Sequence, residues 1–453
     1  MIAPAVLLAI LTIIAAGSGV TLALWRKPHP ILAAELFGIA WLLGAGVVSA
    51  SLALGGIVLS GPALFGVVAA VTVLLGGLAV KRVRDGVRIE TGLGAAPRWE
   101  KGIGLLALLP VLYFGAMTFR DSLIWDGFVI WEAKARHAFL AGGSLPAAYF
   151  SDATRVDYHP SYPLYLPFTE LWVYLWVGDC HQTAVKVLFP VFYASAIALL
   201  WSGAFRLSGR LWVAALTALL PLFVPWMCDA GHGLLKGYAD FILGAVYLGG
   251  VNALLAWRFR EVAGGWPVAV ACGALLPWVK QEGVLLLASL ILLAALAHGW
   301  RGWRRTVLFA LPGLAVLLVW RVVLQVVDAV QAATFQALTL EHLRANLPRL
   351  GPILSAMGAQ FALTKAWSVL WFGAPVALLC LAFQRRRETL LLALAVIVPL
   401  GLDLVPYLFT TLNLRFHLST SLDRLILQVS LVAALCIGLA LEGPRTPPTS
   451  GPR

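Results

Sequence analysis

Charge is what this sequence has least of. Only 12% of its 453 residues are Asp, Glu, Lys or Arg, against roughly 25% in soluble domains. With 61% hydrophobic residues and a mean hydropathy of +0.89, a water-soluble globular domain is excluded. Cysteine is scarce too: five residues, none in a paired motif, so neither a disulfide framework nor a zinc module is written here. Cys272, Cys380 and Cys436 sit in apolar runs as small hydrophobes. Cys180 and Cys228 lie near polar breaks, where a mutual disulfide and simple burial both stay open. There is no HExxH, no P-loop and no GxGxxG, which removes the usual routes to a zinc hydrolase or a nucleotide enzyme. Internal repeats and low-complexity tracts are missing as well.

What is there is apolar length. A membrane-spanning helix needs about 20 mostly apolar residues, and 2–25, 31–54, 307–327 and 389–408 each supply them. These runs are apolar all round instead of alternating, so the expectation is an all-α polytopic bundle and not a barrel. The net charge of +12 comes in bursts between the runs, at Arg26/Lys27, Lys81 to Lys101, Arg206/Arg210, Arg258/Arg260, Arg301 to Arg305, Arg385 to Arg387, and Arg445 with Arg453. The bursts hold 20 of the 33 Lys and Arg, a pattern that orients a membrane protein and does not call for nucleic acid as a partner.

Placing every burst on the cytoplasmic side predicts 11 to 13 spans, near 2–25, 31–54, 56–80, 102–119, 183–203, 211–227, 238–257, 266–279, 283–298, 306–327, 353–383, 389–411 and 424–441. The amino terminus then faces out, with no cleavable signal peptide expected, and a bacterial inner membrane is the expected location. Parity makes 163–177 re-entrant or interfacial, and its Trp and Tyr suit an interface. Residues 266–298 divide in two, because one long span would bury Lys280 and Glu282 at mid-membrane at about 2.5 to 3.5 kcal/mol each. The expected organisation is amino-terminal helices and a basic loop over 1–101, a central module over 102–300, further helices over 301–441, and a disordered tail over 442–453.

The longest external segment, 120–162, interleaves acids, bases and aromatics and is too polar to span. Trp125, Phe128, Val129, Glu132, Ala135 and Phe139 recur at near-helical spacing, which predicts a helix along the membrane surface ended by Gly142 and Gly143. Three further breaks, at 228–240, 279–283 and 413–424, fall on the same predicted face. Together they gather Asp126, His159, Asp240, Lys280, Glu282 and Arg424, with Lys134 and Tyr162 from the long loop. Plainer readings stand beside this one: a solvated Glu132–Arg136 pair, a Lys280–Glu282 bridge closing a turn, Arg424 snorkelling to headgroups, and His232 as a loop residue. Acids and cations at the outer surface of a helical bundle suit a donor carried on a lipid phosphate. Cations stabilise the departing phosphate, a carboxylate takes the acceptor's proton, and the tail needs only an apolar groove.

The segments WDGFVIWEAKARHAFLAGGSL, DYHPSYPLYLP, GYADFILG and LPWVKQEG resemble the GT-C superfamily of lipid-linked-sugar glycosyltransferases, which includes protein O-mannosyltransferases and lipid A aminoarabinose transferases. The resemblance covers mainly residues 115–290. It implies an inverting transfer from a polyprenyl-phosphate-sugar donor to a lipid, glycan or protein acceptor among membrane lipids. Asp126 would be the outer-loop acid, for base or metal duty, Asp240 the second acid, and Lys280 a phosphate-side cation; Lys134, His159, Tyr162, Glu282 and Arg424 would bind substrate. The pattern departs where the family often has a second adjacent acid, since Gly127 follows Asp126 here. Glu132 could serve only if the loop brings it round, because six helical residues turn it about 240° away. A divalent Mg or Mn therefore stays open. The rival class is a transporter or flippase of lipid-linked glycans, whose inverted repeats the sequence does not show, and a third is a polymerase or ligase with a large loop later in the chain than 328–352 offers.

Overall fold

The computed structural model describes residues 2–94, 97–228 and 233–443, so His232 and the tail with Arg445 and Arg453 lie outside the described residues. The chain is a multi-pass helical bundle. Its helices, in order, are α1 (Ile2–Leu24), α2 (Ala33–Gly55), α3 (Gly61–Arg84), α4 (Arg98–Met117), α5 (Ala133–Leu140), α6 (Tyr165–Val177), α7 (Gln182–Ser208), α8 (Leu211–Phe223), α9 (Asp240–Arg260), α10 (Gly265–Val279), α11 (Gly283–His298), α12 (Trp303–Val326), α13 (Leu350–Phe361), α14 (Leu370–Phe383), α15 (Thr389–Leu408) and α16 (Leu414–Ala440). Among the described residues nine are long and apolar enough to cross a membrane: α1, α2, α3, α4, α7, α9, α12, α15 and α16. The shorter apolar helices α8, α10, α11 and α14 fall on four further predicted segments.

Helix α9 is the axis. Of its most apolar window 94% is buried, against 17% for α3. It packs on α7, α10 and α16, while α1, α2 and α3 form a sheaf joined to the axis mainly through α2 and α7. A two-residue parallel pairing, Ile31 with Ile89 and Leu32 with Glu90, ties the α1–α2 link to the segment after α3.

Arginines from four of the basic bursts meet at one end. Arg82 donates to the carbonyls of Leu22 and Trp25, Arg206 pairs with Glu35 and lies over Trp25, and Arg260 and Arg386 both donate to the Leu207 carbonyl. Cations there meet the carbonyl-rich ends of helices, where the helix dipole favours them. Asp240 opens α9 and Arg260 closes it, so a layer built around Asp240 lies roughly 30 Å from this basic end, about a hydrocarbon thickness.

Two expectations change in detail. Residues 163–177 are helical, but ten of the thirteen residues of α6 are buried between α1, α2 and α5. Its aromatics look inward because their polar tips find partners there: Tyr165 Oη donates to the Leu42 carbonyl at 2.9 Å and Trp172 Nε1 to Thr12 Oγ1 at 3.1 Å. The span drawn over 353–383 is broken into α13 and α14 by a turn at Leu363 to Val369, in which Ser368 has φ +52°. The division of 266–298 into two helices stands, with Lys280 and Glu282 in the turn between α10 and α11.

Candidate functional site

Asp126 reaches the axis because two contacts pin the start of the loop. Lys236 Nζ is bonded to Asp121 Oδ2 at 2.7 Å, and the Lys236 carbonyl accepts the Ile124 N–H at 3.4 Å. Gly127 then lies flat on the 236–237 backbone: a Cβ there would stand 1.9 Å from the Lys236 carbonyl oxygen. This is the physical reason why Gly, and not a second acid, follows Asp126. Trp125, at φ +44°, makes the turn that delivers the carboxylate. A π-helical turn, Gly127–Glu132, leads on into α5 and ends before Gly142, which takes φ +83°.

The chain thereby assembles one ion network from four distant segments. Arg424 Nη2 holds Asp126 Oδ2 at 2.7 Å, and Arg424 Nε donates to Asp240 Oδ2 at 3.1 Å. Lys280 Nζ holds Asp240 Oδ1 at 2.7 Å and Glu282 Oε1 at 3.0 Å. Gln428 Nε2 donates to Asp240 Oδ1 at 2.8 Å, and the Tyr238 ring lies 5.0 Å beneath the Arg424 guanidinium. Asp240 and Lys280 are shut away, with side chains 0% and 1% exposed, whereas Asp126 and Glu282 keep 21% and 23%. Asp240 is thus the anchor that positions two cations, and Asp126 and Glu282 are the carboxylates a ligand can reach. Arg424 does not snorkel; it bridges two acids.

Lys134 behaves differently from the other cations. It is fully buried, its Nζ donates only to the His159 carbonyl at 2.8 Å, and the rings of Trp131 and Tyr162 flank it at 5.5 and 5.7 Å. Burial pushes its pKa down to about 7, against a smaller upward pull from Asp126. His159, at φ +47°, stacks on Tyr162 with ring centroids 4.7 Å apart. Burial, and then the neighbouring Lys134, lower its pKa, so the imidazole is neutral at pH 7.

Glu132 stands apart from this network. Its Oε1 accepts from Arg136 Nε at 2.9 Å and Tyr174 Oη at 2.6 Å, its Oε2 accepts from Gln182 Nε2 at 2.6 Å, and its side chain is fully buried. The helical offset from Asp126 has not been undone by the loop. The Glu132–Arg136 pair exists, but it is solvated only on the arginine side. Cys180 carries a free thiol and is not joined to Cys228.

Beside the ion network runs an apolar cavity of about 580 Å³, walled by α1, α2, α6, α10 and α12, with Ser144 its one hydroxyl-bearing lining residue. Trp278 and Trp320 close one side, in edge-to-face contact at 5.6 Å. Trp320 Nε1 donates to the Ser161 carbonyl at 3.0 Å, Gln281 Nε2 donates to the same carbonyl at 3.3 Å, and Lys280 and Glu282 flank Gln281. The end of α10 thus places Trp278 on the cavity and Lys280, two residues on, in the ion network.

A divalent ion does not suit these donors. Asp126 and Asp240 share the Arg424 guanidinium, Asp240 is further saturated by Lys280 and Gln428, and no group of three His, Cys, Asp or Glu with metal-holding geometry occurs among the described residues. Sequence reasoning missed Gln428, although it lies one helical turn after Arg424, and missed Ser161, Gln281 and Trp320, whose types carry no chemical signal. No protein-family model, curated protein or solved structure matches the chain.

Proposed function

We propose that the chain is a membrane glycosyltransferase that moves a sugar from a polyprenyl-phosphate carrier to an acceptor hydroxyl at the end of the bundle opposite the basic layer, the non-cytoplasmic end under the positive-inside rule. The observation that carries this reading is that the end of α10 carries both Trp278, which lines an apolar groove, and Lys280, which belongs to an ion network whose acids Asp126 and Glu282 stay partly exposed. A polyprenyl tail requires a lipid-like channel, and its phosphate requires a cation it can reach. Arg424 keeps 13% of its side chain exposed beside Asp126 and is the cation offered to the phosphate, whereas Lys280 and Lys134 are shut away and have positioning roles. The helical pieces of 127–158 form the surface over this end of the bundle.

In the reaction the acceptor oxygen bonds to the anomeric carbon from the face opposite the phosphate, and configuration inverts. Asp126, held by Arg424, takes the hydroxyl proton as the bond forms. The bond from the anomeric carbon to the phosphate oxygen breaks, and the departing polyprenyl phosphate is stabilised by the Arg424 guanidinium. The Trp278 and Trp320 side of the groove keeps bulk water from competing with the acceptor.

The test uses proteoliposomes loaded with a panel of polyprenyl-phosphate sugars carrying a labelled sugar, and compares wild type with Ala274→Trp, which fills the groove. The reading expects labelled acceptor in wild type and a raised KM for long-chain donor in the variant, with short-chain donor little affected. Protein-dependent passage of intact donor across the bilayer, without transfer, would instead establish the transporter class.

A further inference from the structure

A second cavity, of about 380 Å³, lies on the loop and is built of different chemistry. Its volume falls within the roughly 300–1,000 Å³ of small-molecule sites. The strap 144–150 separates it from the groove: Ser144, Leu145 and Phe150 line the groove, and Pro146, Ala148 and Tyr149 line this cavity.

Its polar groups are fixed around Arg155. The Arg155 Nε donates to Asp152 Oδ2 at 3.0 Å, Nη1 lies 2.9 Å from His137 Nε2, and the guanidinium sits 4.6 Å over the Tyr149 ring. Asp152 Oδ1 is held in turn by the Thr154 N–H at 2.9 Å and hydroxyl at 2.6 Å. The Thr154 bonds, and then Arg155, keep Asp152 below the usual carboxylate range, so it is ionised. Burial, and then Arg155, depress His137, so its ring is neutral and Nε2 accepts. The Tyr149 hydroxyl is buried without a hydrogen-bond partner.

The charges of Arg155 and Asp152 cancel. A phosphate would meet the carboxylate and an ammonium would meet the guanidinium, so the site suits a neutral ligand with several hydroxyls, each able to give and take a hydrogen bond. Leu140, Pro146 and Ala148 supply apolar surface for the C–H face of a sugar ring. We propose that this cavity binds a neutral saccharide, the sugar portion of the acceptor. The binding claim stands on the cavity alone; only the acceptor role rests on the glycosyltransferase reading.

The experiment titrates the full chain in lipid nanodiscs with the methyl glycosides of glucose, galactose, mannose and N-acetylglucosamine, and with inorganic phosphate and ethanolamine as charged controls, read by saturation-transfer NMR. At least one glycoside binds and neither control displaces it. Arg155→Lys and Asp152→Asn each weaken binding about tenfold or more. Leu140→Trp, which blocks the mouth from an exposed position and leaves the ion pairs alone, abolishes it. Failure of every glycoside, displacement by phosphate, or binding undiminished in Leu140→Trp would overturn the proposal. The readout involves no transfer, so loss of the glycosyltransferase reading would leave a positive binding result standing.

Discussion

Glu132 and Asp240 are both fully buried carboxylates held by an arginine, yet the two networks around them are built to opposite ends. At Glu132 the contacts come from the loop, α6 and the adjoining start of α7: Arg136 one turn on, Tyr174, and Gln182. The network closes on itself. At Asp240 the partners come from α10–α11 and α16, and through Arg424 the network extends to a carboxylate that remains open, Asp126. The difference teaches that two acids buried alike can differ in what they connect to: one seals a local cluster, and the other leads through two cations to carboxylates that stay partly exposed.

Removing Asp240 should break the comparison hardest. Asp240→Ala leaves Lys280 and Arg424 facing a buried hole, and loss of one partner from such a pair costs about 3 to 5 kcal/mol. Thermal unfolding of purified protein should drop steeply, and Asp240→Asn, which keeps some hydrogen bonds, should drop less. Asp126→Asn should sharpen it from the other side. Folding is kept, since Asp126 is partly exposed, while transfer per folded molecule falls about 100-fold or more. Glu132→Gln should cost about 1 to 3 kcal/mol of stability by weakening three hydrogen bonds, with turnover per folded molecule unchanged.

A further effect concerns pH. The folded pKa of Lys134 is lowered to about 7 from 10.5, so between those values the unfolded chain binds the extra proton and stability rises with pH. The penalty of burying Lys134 is therefore full below pH 7 and fades towards pH 10.5. Lys134→Met should raise the melting temperature at pH 6 and lose that advantage by pH 10.

Much of this was legible in the sequence. The apolar runs and basic bursts place the helices, because span length and charge asymmetry are set by the bilayer and not by tertiary detail. Asp126, Asp240, Lys280, Glu282 and Arg424 could be gathered from polar breaks on one predicted face, and the structure joins all five. Which acid is open and which is sealed could not be read, because that depends on the Asp121–Lys236 clamp and on Gly127 lying against a backbone 109 residues away. The inward turn of the α6 aromatics was hidden for the same reason: an interfacial Tyr and a buried Tyr look alike until the carbonyl that receives the hydroxyl is known. Arg424, expected from its polar break, and Gln428, which was not, lie on α16 outside residues 102–300 and both bond Asp240.

The most direct test sets Asp126→Asn beside Glu132→Gln, in equally folded nanodisc preparations, and measures single-turnover transfer of labelled sugar from a polyprenyl-phosphate donor. The account predicts a loss of about 100-fold or more in Asp126→Asn and wild-type transfer in Glu132→Gln. Transfer retained in Asp126→Asn and lost in Glu132→Gln would contradict it.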